Sequence, residues 1–178
     1  DESMVDGIYN QTYRLPNFLV ETIDTPLPIP VYLMRSVGST AGVFFWEGFI
    51  SALAHRAGRD QYAYRRTLLD ADPLAMRVLD AVAHESRWTT PPPRGTYRGI
   101  AYNCYVGRGG RFKTYVAQVV ELVQHENRLQ VRRVYCAVDP GLAVNPNTLT
   151  AQIEGGIGFA MRTALKSKIT FAQGGTVE

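Results

Sequence analysis

Lys113-Thr114-Tyr115-Val116-Ala117-Gln118-Val119-Val120-Glu121-Leu122-Val123 reads as a long β-strand, rich in β-branched residues, and the fold class turns on it. Upstream, Ile100 to Val106 reads as another strand, separated from it by Gly107-Arg108-Gly109-Gly110. Downstream, Leu129 to Val138 reads as a third, joined to the second by a hairpin over His125-Glu126-Asn127-Arg128. The apolar residues of this third strand change phase, from Leu129 and Val131 to Val134, Cys136 and Val138. A period of two cannot change face without an extra residue, so a bulge is expected near Arg132-Arg133. An antiparallel sheet follows.

Asp139-Pro140-Gly141 turns the chain beyond the sheet, and Asn145-Pro146-Asn147-Thr148 opens a helix that reaches about Lys166, capped by Asn145 or Asn147. Ala151, Gly155 and Gly158 recur in it at helical spacing. Glycines inside a helix cost about 1 kcal/mol each, so a neighbouring helix or a cofactor is expected to approach this backbone closely. Lys168 to Ala172, a turn at Gln173-Gly174-Gly175 and Thr176-Val177-Glu178 read as a hairpin that stops soon after its turn, as at the boundary of a longer chain.

On the other side of the sheet, Thr89-Thr90-Pro91-Pro92-Pro93-Arg94-Gly95 reads as a stiff, polyproline-like connector. Before it come three helices. The first runs from Val43 to Ala54, capped by Ser39 or Thr40, with Phe45, Phe49 and Leu53 at helical spacing, and ends at Gly58. The second opens at Arg59-Asp60 and passes through Tyr64 and Leu68. Asp72-Pro73 starts the third, which runs to about Trp88 with Leu74, Val78, Leu79 and Val82 on one face. The first thirty residues, broken by Pro16, Pro26, Pro28 and Pro30, read as an extended lead-in outside the core. The expected organisation is α+β: residues 1–88 a lead-in and helical lobe, 89–95 the connector, 96–178 a hairpin and helix lobe.

The 178 residues are 46% hydrophobic and 20% charged, which places the chain among globular sequences and away from disordered ones. A chain of this size buries roughly 70% of its unfolded surface, so no metal or disulfide staple is required. The net charge of +3 is spread along the chain, and no nucleic-acid partner is expected. No apolar stretch approaches the roughly 18 residues of a bilayer span, so no transmembrane segment is expected. Asp1-Glu2-Ser3-Met4 carries neither a basic stretch nor an apolar region, and does not read as a signal peptide. Cys104 and Cys136 read as two packed thiols. His55, His84 and His125 lie in separate segments with no metal-ligand spacing.

Three places invite chemistry. In Arg35-Ser36-Val37-Gly38-Ser39-Thr40 a guanidinium, a glycine and hydroxyls meet a helix N-terminus, as an oxyanion or phosphate ligand requires, although a capped helix with a surface Arg has the same composition. Gln152 and Glu154 flank the glycines of the last helix, which tight packing would equally explain. Gly107-Arg108-Gly109-Gly110 lacks the lysine and following helix of a phosphate loop and reads as a hairpin loop. No Gly-x-Ser-x-Gly elbow occurs.

These stretches also resemble a known family. The residues are Tyr13-Arg14-Leu15-Pro16-Asn17, Arg35-Ser36-Val37-Gly38-Ser39, Phe45 with Glu47 and Phe49-Ile50, Tyr64-Arg65-Arg66 with Leu68-Leu69, and Arg98-Gly99-Ile100-Ala101. Tyr115 to Val119, Cys136-Ala137-Val138-Asp139 with Gly141, Val144-Asn145-Pro146 and Gln152-Ile153-Glu154-Gly155-Gly156 continue the series. In this order they resemble the large, molybdenum-binding subunit of the xanthine oxidase family, in the branch of isoquinoline 1-oxidoreductase and bacterial aldehyde dehydrogenases.

The resemblance implies a fragment of the molybdopterin-binding domain, an α+β structure. It implies a molybdenum–molybdopterin cytosine dinucleotide cofactor and oxidation of an aldehyde or N-heteroaromatic ring with water-derived oxygen. Electrons would pass to 2Fe-2S clusters on a small iron–sulfur subunit, in some relatives with a cytochrome c partner. Arg35, Ser36, Gly38, Ser39, Gln152 and Gly155 would contact the cofactor, and Val37 would face the substrate. The family's upstream glycine-rich segments, and the downstream Gly-Glu segment holding its general base, have no counterpart here; neither Glu154 nor Glu178 matches that base. No catalytic residue is therefore assigned, and the fragment alone is expected to be inactive. Glu47-Gly48-Phe49-Ile50-Ser51 stands where close relatives read Glu-Ser-Phe-Ile-Asp, and Pro140 where a cysteine is common. Such departures leave a non-catalytic interaction or assembly module of the same descent as the alternative, and a small anion-binding domain unrelated to molybdenum as a third reading. Compartment, periplasmic or cytoplasmic, stays open.

Overall fold

Alternation of apolar residues along three consecutive segments produces the sheet on which the first part of the molecule is built. A computed structural model describes residues 5–23, 25–26, 34–107, 109–126, 128–172 and 175–177. β1 (Thr96–Gly107), β2 (Phe112–His125) and β3 (Arg128–Asp139) form an antiparallel sheet in the order β1-β2-β3. Ile100, Tyr102 and Cys104 of β1 stand opposite Val119, Ala117 and Tyr115 of β2, and all six side chains are buried on one face. The expected bulge is present. Glu121 pairs with Arg133 and Leu122 with Val131, leaving Arg132 as the extra residue that moves β3 from one phase to the other.

α1 (Ser39–Arg56), α2 (Gln61–Leu68) and α3 (Pro73–Glu85) precede the sheet. α3 packs on β2 and β3 through Ala75, Val78, Leu79 and Val82. Asp72 caps it as expected, accepting from the amides of Leu74 and Ala75, with Pro73 at the first position. Leu74 does not join the buried face: it is exposed in the first turn, and Ala75 takes its place. Asp60 caps α2 by accepting from Ala63 N–H at 2.9 Å.

Two helix ends are closed by backbone rather than by side chains. After α1, Gly58 is left-handed at φ 62°, its amide bonds His55 O and that of Arg59 bonds Ala54 O. This is the Schellman arrangement, in which glycine carries the left-handed residue without strain. α3 ends the same way, with Arg87 N–H on His84 O and Trp88 N–H on Ala83 O, but the left-handed residue is Arg87 at φ 51°. Arg98 then gathers the loop. Its guanidinium donates to the carbonyls of Ser86, Arg87, Trp88 and Thr90 and lies over the Trp88 ring.

Three local expectations are corrected. α1 is apolar on most sides, so spacing alone does not choose its inward face; Trp46, Ile50 and Ala54 are buried, whereas Phe45 and Phe49 are exposed. Neither Ser39 nor Thr40 caps α1: the N-cap is Gly38, and Thr40 Oγ1 donates instead to Arg35 O at 2.8 Å. The lead-in is not outside the core, because Tyr13 is 4% exposed and packs with Trp46 and Tyr102. Leu27 and Ile29 lie outside the described residues.

The chain divides into two compact units, 1–22 with 34–141 and 23–33 with 142–178. The 89–95 connector runs from α3 to β1 inside the first. In the second, α4 (Pro146–Leu165) starts from Asn145, whose side chain accepts from Thr148 N–H at 3.0 Å. β4 (Thr170–Ala172) and β5 (Gly175–Val177) pair antiparallel beyond it. The structure is thus α+β, with helices packed on an antiparallel sheet.

Candidate functional site

The Arg35–Thr40 segment forms a tight turn running into α1. Val37 N–H bonds Met34 O at 2.9 Å, Ser39 N–H bonds Ser36 O at 2.9 Å and Thr40 N–H reaches Val37 O at 3.4 Å. Ser36 and Val37 are both left-handed, at φ 72° and 46°. For a β-branched residue this backbone is costly and persists only where surrounding structure imposes it, a pattern found at ligand clamps and active sites. Arg35, Ser36 and Val37 face solvent, and Gly38 and Ser39 are half-buried. The turn uses the amides of Ser39 and Thr40, two of the donors that a helix N-terminus leaves for a ligand.

α4 carries two stripes. Leu149, Ile153, Ile157 and Met161 are half-buried, while Gln152, Gly155, Gly158 and Phe159 are exposed. Gln152 and Gly155, three apart, share a side of the helix. A Cβ added at Gly155, Gly156 or Gly158 would meet no atom within 4 Å. The close neighbour that these glycines predict is therefore not supplied by the described residues. Arg35 to Ser39 come together in the first unit; Gln152 and Gly155 come together in the second.

The third place is the loop between β1 and β2, where Gly109 and Gly110 are left-handed and Gly110 N–H bonds Gly107 O. It behaves as a hairpin connection; Arg108 lies outside the described residues. A cleft of about 360 Å³ lies elsewhere, lined by Tyr62, Asp80, His84, Arg87 and Thr90. Asp80 is already engaged there by Tyr62 Oη and Arg66. Among the described residues no His, Cys, Asp and Glu cluster could hold a metal ion, and no helix is long and apolar enough to cross a membrane. Burial raises both thiols, Cys104 and Cys136, above the usual range; Cys104 is buried and Cys136 half-buried.

Sequence reasoning missed a buried polar cluster centred on Glu47. Glu47, 5% exposed on the inner face of α1, accepts from Tyr13 Oη at 2.8 Å, Arg65 Nε at 2.9 Å and the backbone N–H of Tyr102 at 2.9 Å. Arg65 is fully buried and also donates to Ser51 Oγ, Glu47 O and Gln61 O. Burial raises the Glu47 carboxyl, and this outweighs the opposing pull of Arg65 and the other donors. Tyr13 is raised well above its ordinary value by the same burial. One signal was available: a single carboxylate inside the apolar run of α1 needs a buried cation, and Arg65 stands on the next helix.

The α+β fold by itself names no class; similarity of sequence does. The chain is related to the large subunits of molybdenum hydroxylases. It is 30% identical over 167 residues to the beta subunit of isoquinoline 1-oxidoreductase from Brevundimonas diminuta, an alignment covering 91% of this chain and 21% of that protein. It is 31% identical over 165 residues to the B subunit of nicotinate dehydrogenase from Pseudomonas putida, covering 84% of this chain and 14% of that protein. The chain therefore spans about a fifth or less of the length of these relatives. No family model matches it.

Proposed function

We propose that this chain is part of the molybdopterin-binding subunit of a molybdenum hydroxylase, in an α+β domain of the xanthine oxidase type. The observation that carries the reading is likeness along nearly the whole chain to subunits whose names state oxidoreductase and dehydrogenase activities. The residues present fit such a cofactor. The Arg35–Ser39 turn offers an exposed guanidinium and hydroxyl beside a helix N-terminus, which suits a phosphate-bearing pterin. Gly155 leaves backbone that a planar ligand can approach, with Gln152 alongside as hydrogen-bond donor and acceptor.

Arg35, Ser36, Gly38, Ser39, Gln152 and Gly155 would hold the group, and Val37 would face the substrate. When bound, the molybdenum–pterin cofactor, in its cytosine dinucleotide form, supplies the two-electron oxidation of an aldehyde or N-heteroaromatic carbon, with water as the oxygen source. The part of this chain is to bind and orient. Arg35 balances anionic charge, the turn fixes the direction of its donors, and Val37 shapes the edge of the substrate space without contributing a proton. Electrons would leave through 2Fe-2S clusters on a small partner subunit, with cytochrome c a further acceptor.

The test is the complete gene product, purified with its iron–sulfur partner. Stoichiometric molybdenum with dye-linked oxidation of aldehydes or N-heterocycles is the expected result. A well-folded preparation without molybdenum would refute the reading and leave a non-catalytic module of the same descent.

A further inference from the structure

The Arg35–Gly38 turn holds two non-glycine residues in left-handed backbone, a shape that needs support from what packs around it. Two close backbone approaches supply that support. A Cβ at Gly42 would fall 2.1 Å from Asp6 O, and one at Gly7 would fall 2.7 Å from Val43 Cγ2 and 3.2 Å from Ser39 Cα. The lead-in chain around residues 6 and 7 thus lies directly on the first turn of α1. A few residues further on, the lead-in is fastened by Tyr13, whose hydroxyl donates to Glu47 Oε1 and whose ring packs edge-on against Tyr102 at 5.7 Å. The other oxygen of the same carboxylate takes Arg65 of α2 and the edge amide of β1.

We infer that Glu47 is a positioning residue for the Arg35–Ser39 turn: it ties the lead-in to α1, α2 and β1 at one buried point and so presses residues 6 and 7 onto the helix start. It touches no ligand and acts through Tyr13 and α1. Its purpose rests on the cofactor reading above; its geometry does not. Thr12 Oγ1 on Tyr102 Oη and the exposed Arg14–Asp70 pair also hold the lead-in, but neither reaches α1.

Hydrogen exchange on the complete gene product tests this, comparing Glu47→Gln and Tyr13→Phe with wild type and with Arg14→Ala as control. The expected result is exchange at residues 36–43 faster by about tenfold or more in both variants, with residues 78–82 of α3 unchanged and Arg14→Ala like wild type. Should Glu47→Gln fail to fold, Tyr13→Phe, which keeps its ring, decides. Unchanged protection at 36–43, or an equal rise over α3, overturns the inference, the latter by showing a merely structural role. In a molybdenum-loaded preparation partly reduced to Mo(V), the electron spin resonance of the metal should shift in Tyr13→Phe at equal metal content. Wild type without molybdenum defeats the cofactor reading alone, since the exchange arm stands without it.

Discussion

Arg87 and Arg98 show how a helix end is completed: backbone closes α3, and the Arg98 guanidinium gathers the loop beyond it. A left-handed Arg at the end of α3 costs about 1–2 kcal/mol that glycine avoids, partly offset by the entropy glycine gains in the unfolded chain. Arg87→Gly should therefore raise stability by up to about 1 kcal/mol, read as a higher urea midpoint at unchanged slope. Glu47 works in the opposite sense. Glu47→Ala strands the fully buried Arg65 and should cost about 3–5 kcal/mol in urea unfolding. Replacing both partners by Leu and Met should recover part of that loss, though the Tyr102 amide and Tyr13 hydroxyl would remain unsatisfied. A single mutant no worse than the double would disprove the buried pair. Little of this was legible in the sequence, because the number and direction of hydrogen bonds to one carboxylate depend on four segments that meet only in the folded chain.

Among the elements, strands and helix starts were the most readable. The phase change in β3 placed a bulge near Arg132-Arg133, since alternation of faces is a local property of the backbone, and the register picks out Arg132. Deleting Arg132 should turn residues 128–131 onto the wrong face and lower the melting temperature measurably. α4 gives a prediction with two opposed signs. Gly155→Ala and Gly158→Ala meet open space, so each should stabilise the helix by about 0.5–1 kcal/mol. Under the proposed function the same substitutions should lower molybdenum content, and metal analysis alongside thermal unfolding separates the two effects. Higher stability with full metal loading would remove α4 from the cofactor cradle. The inward face of α1 was not readable, because its apolar residues surround the helix and only the packing of Tyr13 and the sheet selects Trp46, Ile50 and Ala54.

For the whole molecule, buried tyrosines make stability depend on alkaline pH. Burial raises Tyr13 and Tyr102, and burial together with the nearby Asp72 carboxylate pushes Tyr115 up to about 12. A raised folded value means that the unfolded chain releases its protons first, near pH 10, so this contribution is complete below that pH and lost as pH rises toward the folded value. Phenolate absorbance of these tyrosines should thus appear together with loss of the fold; their titration in a folded sample at pH 10 would contradict the burial. The first unit gathers the lead-in, three helices and the sheet round one core, whereas α4 and the terminal hairpin belong to the second. By itself the sequence determined the α+β class, a bulge near Arg132-Arg133, the Asp72 cap, the helix starts near Asp60 and Asn145, and the family likeness, because these follow from alternation, capping chemistry and residue order. Only the tertiary structure decided that Tyr13 enters the core, that Glu47 and Arg65 are buried together, and that the glycines of α4 meet no other described residue within 4 Å. Each of those depends on which distant segments share one volume, and no local pattern of residues encodes that.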